Sequence, residues 1–374
     1  MASSSMFSSL LQSLPSSKFS FRVTSGIGTF YNPVLGLLES KLANQLELLT
    51  RPPSDHQDLS YLSARWLHNA MSTVIFANSN AKTSIVDLQN ALSDSGSYCK
   101  WLDECLDDNI RVLDTCLILQ ESLSCSKLHL SYVKAILGTL MHPADKQVSK
   151  ARLLRAAHAV SQCVKLAQQK NTEMGSKRSK LETCGSVLRR MGEKLYSLED
   201  QYKGNGWGVM YVAHMITIFV CGVMVTAFSV GGPKKANMST ISISSQSNWW
   251  LALSALQQRI KEEVETKRIQ KMPYLEELEK MDSLFICLTQ RITQALEDGL
   301  FPVLLDEEKP MKKAMGDLQR CVDELGHGLA KLEQDITELY QELVTSRMML
   351  LDIYPKSSAI PRVYLELDEP KRQN

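Results

Sequence analysis

The chain has 374 residues, with 42 Lys or Arg against 41 Asp or Glu, a formal net charge of +1. That balance disfavours a globally basic nucleic-acid binder and an acidic disordered tail, while 44% apolar and 22% charged residues is the mix of an ordered globular protein. Gly (18) and Pro (12) are scarce, which favours long helices over many short strands and turns.

The first thirty residues stand apart. Residues 1–30 hold ten Ser, their charges are Lys18 and Arg22, and no acid precedes Glu39. A Ser-rich, acid-free, weakly basic start is the composition of an organelle transit peptide. A disordered arm without an address reads the same way. Ala2 excludes N-myristoylation, and the terminal Lys-Arg-Gln-Asn is no prenylation box.

From residue 33 the pattern is helical. Leu35, Leu38, Leu42, Leu46 and Leu49 step by three and four, the stripe of an amphipathic helix. Arg51-Pro-Pro ends it, since Pro cannot continue the ladder. The spacing predicts a helix over 59–78, a short one to 92 and a turn at Asp94-Ser-Gly. A helix over 98–123 follows, with Leu102, Leu106, Ile110, Leu113 and Leu117 on one face. Helices over 127–141, 146–170 and 179–202 come next, the first two separated by His142-Pro143.

Residues 204–233 contain no Asp, Glu, Lys or Arg. Trp207–Val230 would extend about 36 Å as a helix, enough for a hydrocarbon layer of about 30 Å. Trp207 and Tyr211 suit an interfacial belt, and Lys234 and Lys235 close the stretch. Ile216, Phe219, Val225 and Phe228 complete the candidate membrane segment. His214 is its one side chain that ionises near neutral pH. Two readings stay open: a single span, or the central helix of a large bundle, apolar all round because neighbours enclose it. As a span, its N-terminal side would be cytosolic. Residues 145–194 carry twelve bases against four acids, and no base occurs between Lys235 and Arg259. Lys177, Arg178, Lys180, Arg189 and Arg190 there form either an anionic-lipid patch or a solvated helix face. No aromatic residues interleave with them, so nucleic acid is not expected.

The C-terminal half is the most regular. Leu278, Met281, Phe285, Leu288, Ile292 and Ala295 form one stripe. Met311, Met315, Leu318, Val322, Leu325, Leu329, Leu332, Ile336, Leu339 and Leu343 form a second, close to five heptads. This predicts a helix of about 45 residues and about 65 Å. Its seam, centred on Leu318–Ile336, needs a partner helix. That partner is the 278–295 stripe in an antiparallel bundle or a second copy in a coiled coil.

No motif for chemistry emerges. P-loop, H-E-x-x-H, G-x-S-x-G and EF-hand patterns are absent from the sequence. Gly204-Asn-Gly-Trp-Gly lacks the third spaced Gly of a phosphate loop and reads as a flexible helix start. The seven His are scattered, and Cys125 with His129 is an isolated i, i+4 pair, so no metal site is expected. The nine Cys lack C-x-x-C spacing and read as buried thiols in a reducing compartment. Asn237-Met-Ser is a glycosylation acceptor that would matter on a lumenal side.

Arg65-Trp-Leu-His-Asn-Ala-Met71, Lys100-Trp-Leu-Asp103 and Leu113-Asp-Thr-Cys116 give the chain its likeness. In their order and spacing it resembles the plant BYPASS family, whose members restrain a root-derived mobile signal that arrests shoot growth. The resemblance runs to about residue 350 and leaves residues 1–30 outside. None of its motifs is catalytic, and Trp66, Trp101, Leu113 and Cys116 read as core anchors. More distant helical relatives are linked to exocytic tethering.

The expected molecule is all-α, an elongated antiparallel bundle with one very apolar helix and a long C-terminal helix. Its organisation is a Ser-rich arm (1–30), an N-terminal bundle (31–203), the apolar helix (204–233), a linker (234–248), completing helices (249–354) and a disordered tail (355–374). The resemblance implies a non-enzymatic developmental regulator without cofactor or small-molecule substrate. It is expected to work at a membrane through lipid and a helical partner, a trafficking component or itself. The alternative is a soluble or peripheral adaptor in vesicle trafficking. Expected location is membrane-associated, with chloroplast or cytoplasm as alternatives.

Overall fold

The computed structural model describes residues 33–50, 60–91, 98–141, 147–196, 207–229, 247–270, 275–304 and 310–357. The expected arm (1–30), the Asp94 turn, most of the 234–248 linker, Asn237, the tail beyond 357 and the side chains of Trp101, Lys177 and Arg178 lie outside them. Eight helices account for nearly all the described residues. They are α1 (Pro33–Thr50), α2 (Ala64–Ala91), α3 (Tyr98–Leu140), α4 (Lys150–Tyr196), α5 (Gly208–Ala227), α6 (Asn248–Gln270), α7 (Glu276–Asp298) and α8 (Pro310–Ser357). The two-residue strands β1 (Gln147–Val148) and β2 (Val303–Leu304) pair antiparallel, Gln147 opposite Leu304 and Val148 opposite Val303.

Several helices are longer than the sequence pattern suggests. The two helices expected over 59–92 are one, α2, and those expected over 98–141 are one, α3. The polar runs that looked like breaks are absorbed by bonds to the preceding turn. Thr73, Asn78, Asn80, Thr83 and Ser84 each donate to the backbone carbonyl four residues earlier. Ser122, Ser124 and Ser126 do the same in α3. Such side chains compete with a helix only when their bonds lead out of it. The helices expected over 146–170 and 179–202 are likewise one, α4.

The expected face of α3 is also corrected. Leu102 and Leu106 are buried, but Ile110 and Leu117 are 41% and 50% exposed. The buried stripe is Leu102, Leu106, Asn109, Val112, Cys116, Leu119 and Leu123, which keeps a mean step of 3.5 residues, the period of helices sharing a long seam. Stepping by four from Leu106 to Ile110 leaves that seam.

The main apolar core runs from Leu38 in α1 to Ile353 in α8, and Ile136, Val160 and Cys163 form a smaller cluster between α3 and α4. α8 packs on α2, α3 and α7; α3 also packs on α4, and α1 on α6. Cross-links fix the directions. Lys127–Glu333 and Lys134–Asp323 set α3 antiparallel to α8, and Lys180–Glu121 and Lys194–Glu104 set α4 antiparallel to α3. α7 and α8 form an antiparallel hairpin. Its bend uses Gly299 at φ 67°, a left-handed position that favours Gly. The all-α bundle with a long last helix is therefore as the sequence implies. α8 has 48 residues, about 72 Å at 1.5 Å per residue.

Candidate functional site

The two segments marked by the sequence, the apolar helix and the C-terminal seam, both lie inside the bundle. α5 packs against α1, α2, α3 and α4. Every residue of it except His214 and Gly222 is buried, as are Trp207 and Phe228 at its ends. The six candidate membrane residues, Trp207, Tyr211, Ile216, Phe219, Val225 and Phe228, thus all face protein. Length and composition suit both a span and a core helix, and the enclosure is that of a core helix. Closeness has a sequence cause at the α5 start. A Cβ on Gly208 would stand 2.7 Å from Leu35 Cδ2, so glycine lets α1 approach.

The threonines of α5 bond within the helix or to α2. Thr217 donates to the Ala213 carbonyl at 2.7 Å and accepts from Asn78 Nδ2 at 2.8 Å. Asn78 Nδ2 also donates to the Val74 carbonyl at 2.9 Å. Thr226 and Ser229 donate back to Gly222 and Val225. Burial holds the His214 imidazole below its usual pKa, with Asp108 opposing. Burial raises the Cys221 thiol, with Cys116 and Cys184 nearby. Cys116 itself is pushed up to about 12 by burial and by Cys184. These thiols stay protonated and are poor nucleophiles.

The seam of α8 is filled by the same chain. Leu318, Val322, Leu325, Leu329, Leu332 and Ile336 are all fully buried, facing α2, α3 and α7. Polar pairs flank them: His68 Nδ1 lies 2.7 Å from Asp335 Oδ2, Lys82 pairs with Glu342 at 2.7 Å, and Lys127 pairs with Glu333. At the start of α2, Glu277 of α7 accepts from the Ala64 N–H through both oxygens, at 2.9 and 3.0 Å. Glu263 of α6 accepts from the Tyr61 N–H at 2.8 Å and from the Ser60 hydroxyl. Of the motif residues, Trp66 and Cys116 are buried, and Leu113 is half-buried against the core.

The seam and the enclosed helix meet at a cavity of about 40 Å³. Its polar lining is Asn78 from α2, Asn109 from α3, His214 and Thr217 from α5, and Ser346 from α8. Asn78, Asn109 and Ser346 were missed as site residues. The signal was present: each occupies a core position of its stripe, between Val74 and Ala81, Leu106 and Val112, and Leu343 and Leu350. Among the described residues, no three His, Cys, Asp or Glu stand close enough to hold a metal ion.

The structure is an all-α bundle with its most apolar helix enclosed by four others. The chain belongs to the BPS1 family, whose model, described as Protein BPS1, matches residues 84–353. Membership places it among BYPASS-related developmental proteins. It is similar to Protein BPS1, chloroplastic, of Arabidopsis thaliana, at 23% identity over 325 residues, covering 86% of this chain and 83% of that one. It is also similar to UPF0496 protein 4 of Oryza sativa subsp. japonica, at 24% identity over 250 residues. That match covers 65% of this chain and 51% of the rice protein, so it spans about half of that relative. No solved structure matches.

Proposed function

We propose that the protein is a non-enzymatic regulator of plant development that restrains a root-derived mobile signal arresting shoot growth, and that it acts through contacts made by the outer faces of its helices. The family match over 84–353 supports the developmental reading. The observation that carries the mechanism is the enclosure of α5 and of the α8 seam. With these faces consumed by the fold, contact with membrane or partner falls to the outside of the bundle, where residues such as Leu37, Leu48, Ile110 and Leu117 are exposed. Membrane association is then peripheral rather than by a span.

Grafting tests the developmental half: a normal shoot on a root lacking the protein arrests if the reading is right and grows normally if it is wrong. Alkaline carbonate extraction tests the mode of attachment. A peripheral bundle is released to the supernatant, whereas retention in the pellet would favour a span through 207–230.

A second reading concerns place. The Arabidopsis relative is named chloroplastic, and residues 1–30 have transit-like composition. A fluorescent fusion should enter plastids with these residues and stay outside without them. An unchanged location would remove the plastid reading.

A further inference from the structure

One side of the bundle combines bases without acids and apolar side chains without cover. Residues 146–172 hold six Lys or Arg and no Asp or Glu, and most of that run is the first half of α4. There Leu153, Ala156, Val160 and Cys163 are buried in the cores, while Lys150, Leu154, Arg155, His158 and Lys165 are exposed. At 3.6 residues per turn the five exposed positions fall within an arc of about 140°, one outer face about 22 Å long. Among the described residues, Lys150, Arg155 and Lys165 enter no ion pair.

Apolar groups stand beside these bases. Leu154, one turn after Lys150, is 51% exposed. α7 packs on α4, with Phe285 against the cluster of Val160 and Cys163, and the adjacent Ile286 is 57% exposed. Past the end of α7, Lys150 Nζ lies 5.5 Å from the Phe301 ring centroid. The neighbouring Leu300 is 79% exposed, more than any other large apolar side chain described. Between Asp282 and Glu297, α7 has Arg291 and no acid. Asp282 pairs with His129, and Glu297 and Asp298 are the exposed acids next to the Leu300 loop. A solvated charged face has no need of exposed leucines, and the core of a protein interface is depleted of Lys. Bases interspersed with exposed Leu and Ile match a surface that is anionic outside and apolar beneath, a lipid bilayer.

We propose that the α4–α7 face docks on an anionic bilayer, with Lys150, Arg155 and Lys165 at the headgroups and Leu154, Ile286 and Leu300 entering the headgroup boundary. The inference rests on the peripheral reading above and gives it a surface and a lipid class.

The test floats the full chain with vesicles of phosphatidylcholine alone or with 30% phosphatidylserine. A base near an anionic surface contributes about fivefold in affinity. The triple variant Lys150→Gln, Arg155→Gln, Lys165→Gln should therefore bind the anionic vesicles about a hundredfold more weakly, and Leu300→Ser severalfold more weakly. Lys41→Gln, Lys261→Gln, Lys331→Gln removes the same charge from α1, α6 and α8 and should bind as the parent does. The unaltered protein should float with the anionic vesicles and not with the neutral ones. Equal flotation with both, parent-like binding by the α4 triple or by Leu300→Ser, or an equal loss in the control triple would overturn this surface and leave peripheral attachment standing elsewhere on the bundle. No flotation with either vesicle would remove both the surface and the membrane as a partner of the outer faces. Should the α4 triple fail to melt as the parent does, Leu300→Ser and the two vesicle compositions decide.

Discussion

At the scale of single residues, the polar groups on α5 set measurable terms. His214 is held neutral by burial, its pKa lowered from 6.5, and the nearby Asp108 carboxylate works against that shift. As pH falls through 6.5 the unfolded chain takes up the proton first. The stability present above 6.5 is therefore lost as pH drops towards the lower folded value, by at most about 1.4 kcal/mol per pH unit. Raised carboxyls such as Glu277 and Asp335 titrate with the opposite sign, so the informative quantity is the difference between unaltered protein and His214→Phe. In urea melts from pH 7.5 to 5.0, the unaltered protein should lose stability relative to the variant. A difference that stays flat would mean that the imidazole is not held neutral. Thr217→Val isolates another term. It removes the acceptor of the 2.8 Å bond from Asn78 at nearly unchanged volume and strands a buried N–H, at a cost of about 1–3 kcal/mol.

At the scale of elements, α8 carries its own control pair. A Cβ on Gly328 would stand 2.7 Å from Ala64 Cβ at the start of α2, whereas one on Gly316 would meet nothing within 4 Å. Both glycines lie inside the helix, where Ala is intrinsically better by about 1 kcal/mol. Gly316→Ala should therefore raise the thermal midpoint and Gly328→Ala lower it. Equal gains would show that α2 gives way at no cost. The same helix shows what the sequence could and could not tell. The stripe Met311–Leu343 was legible as one long helix because ten apolar positions keep a single period, and all ten are buried, while its partner stayed open between the 278–295 stripe and a second copy. The joins inside α2 and α3 were not, because Ser, Thr and Asn read equally as turn formers or as residues bonded to the preceding turn. Asn109 was overlooked since a polar residue at one seam position looks like a break in the stripe, and only its neighbours on three other helices show that it lines a cavity.

At the scale of the molecule, the question is whether the apolar surface that dominates the sequence is core or interface. Packing α8 on three helices of its own chain leaves no seam for a second copy, so light scattering should report a monomer near 42.0 kDa rather than a coiled-coil dimer. Replacing Leu325 and Leu332 with Asp sharpens the distinction. Both side chains are fully buried, and isolated carboxylates placed there have no partner and no water. If these positions are core, the double variant loses its cooperative melt, because the cost exceeds the roughly 5–15 kcal/mol that holds a domain together. Leu325→Ala alone, which deletes atoms without adding charge, should cost about 2–5 kcal/mol and leave a folded protein. Were the seam an interface, the Asp variant would melt as the parent does and differ only in assembly. A parent-like melt with a parent-like mass would place these leucines outside both core and interface and remove the packing of α8 described above. Loss of the melt would instead leave the outer faces of the helices as the surfaces through which this bundle acts.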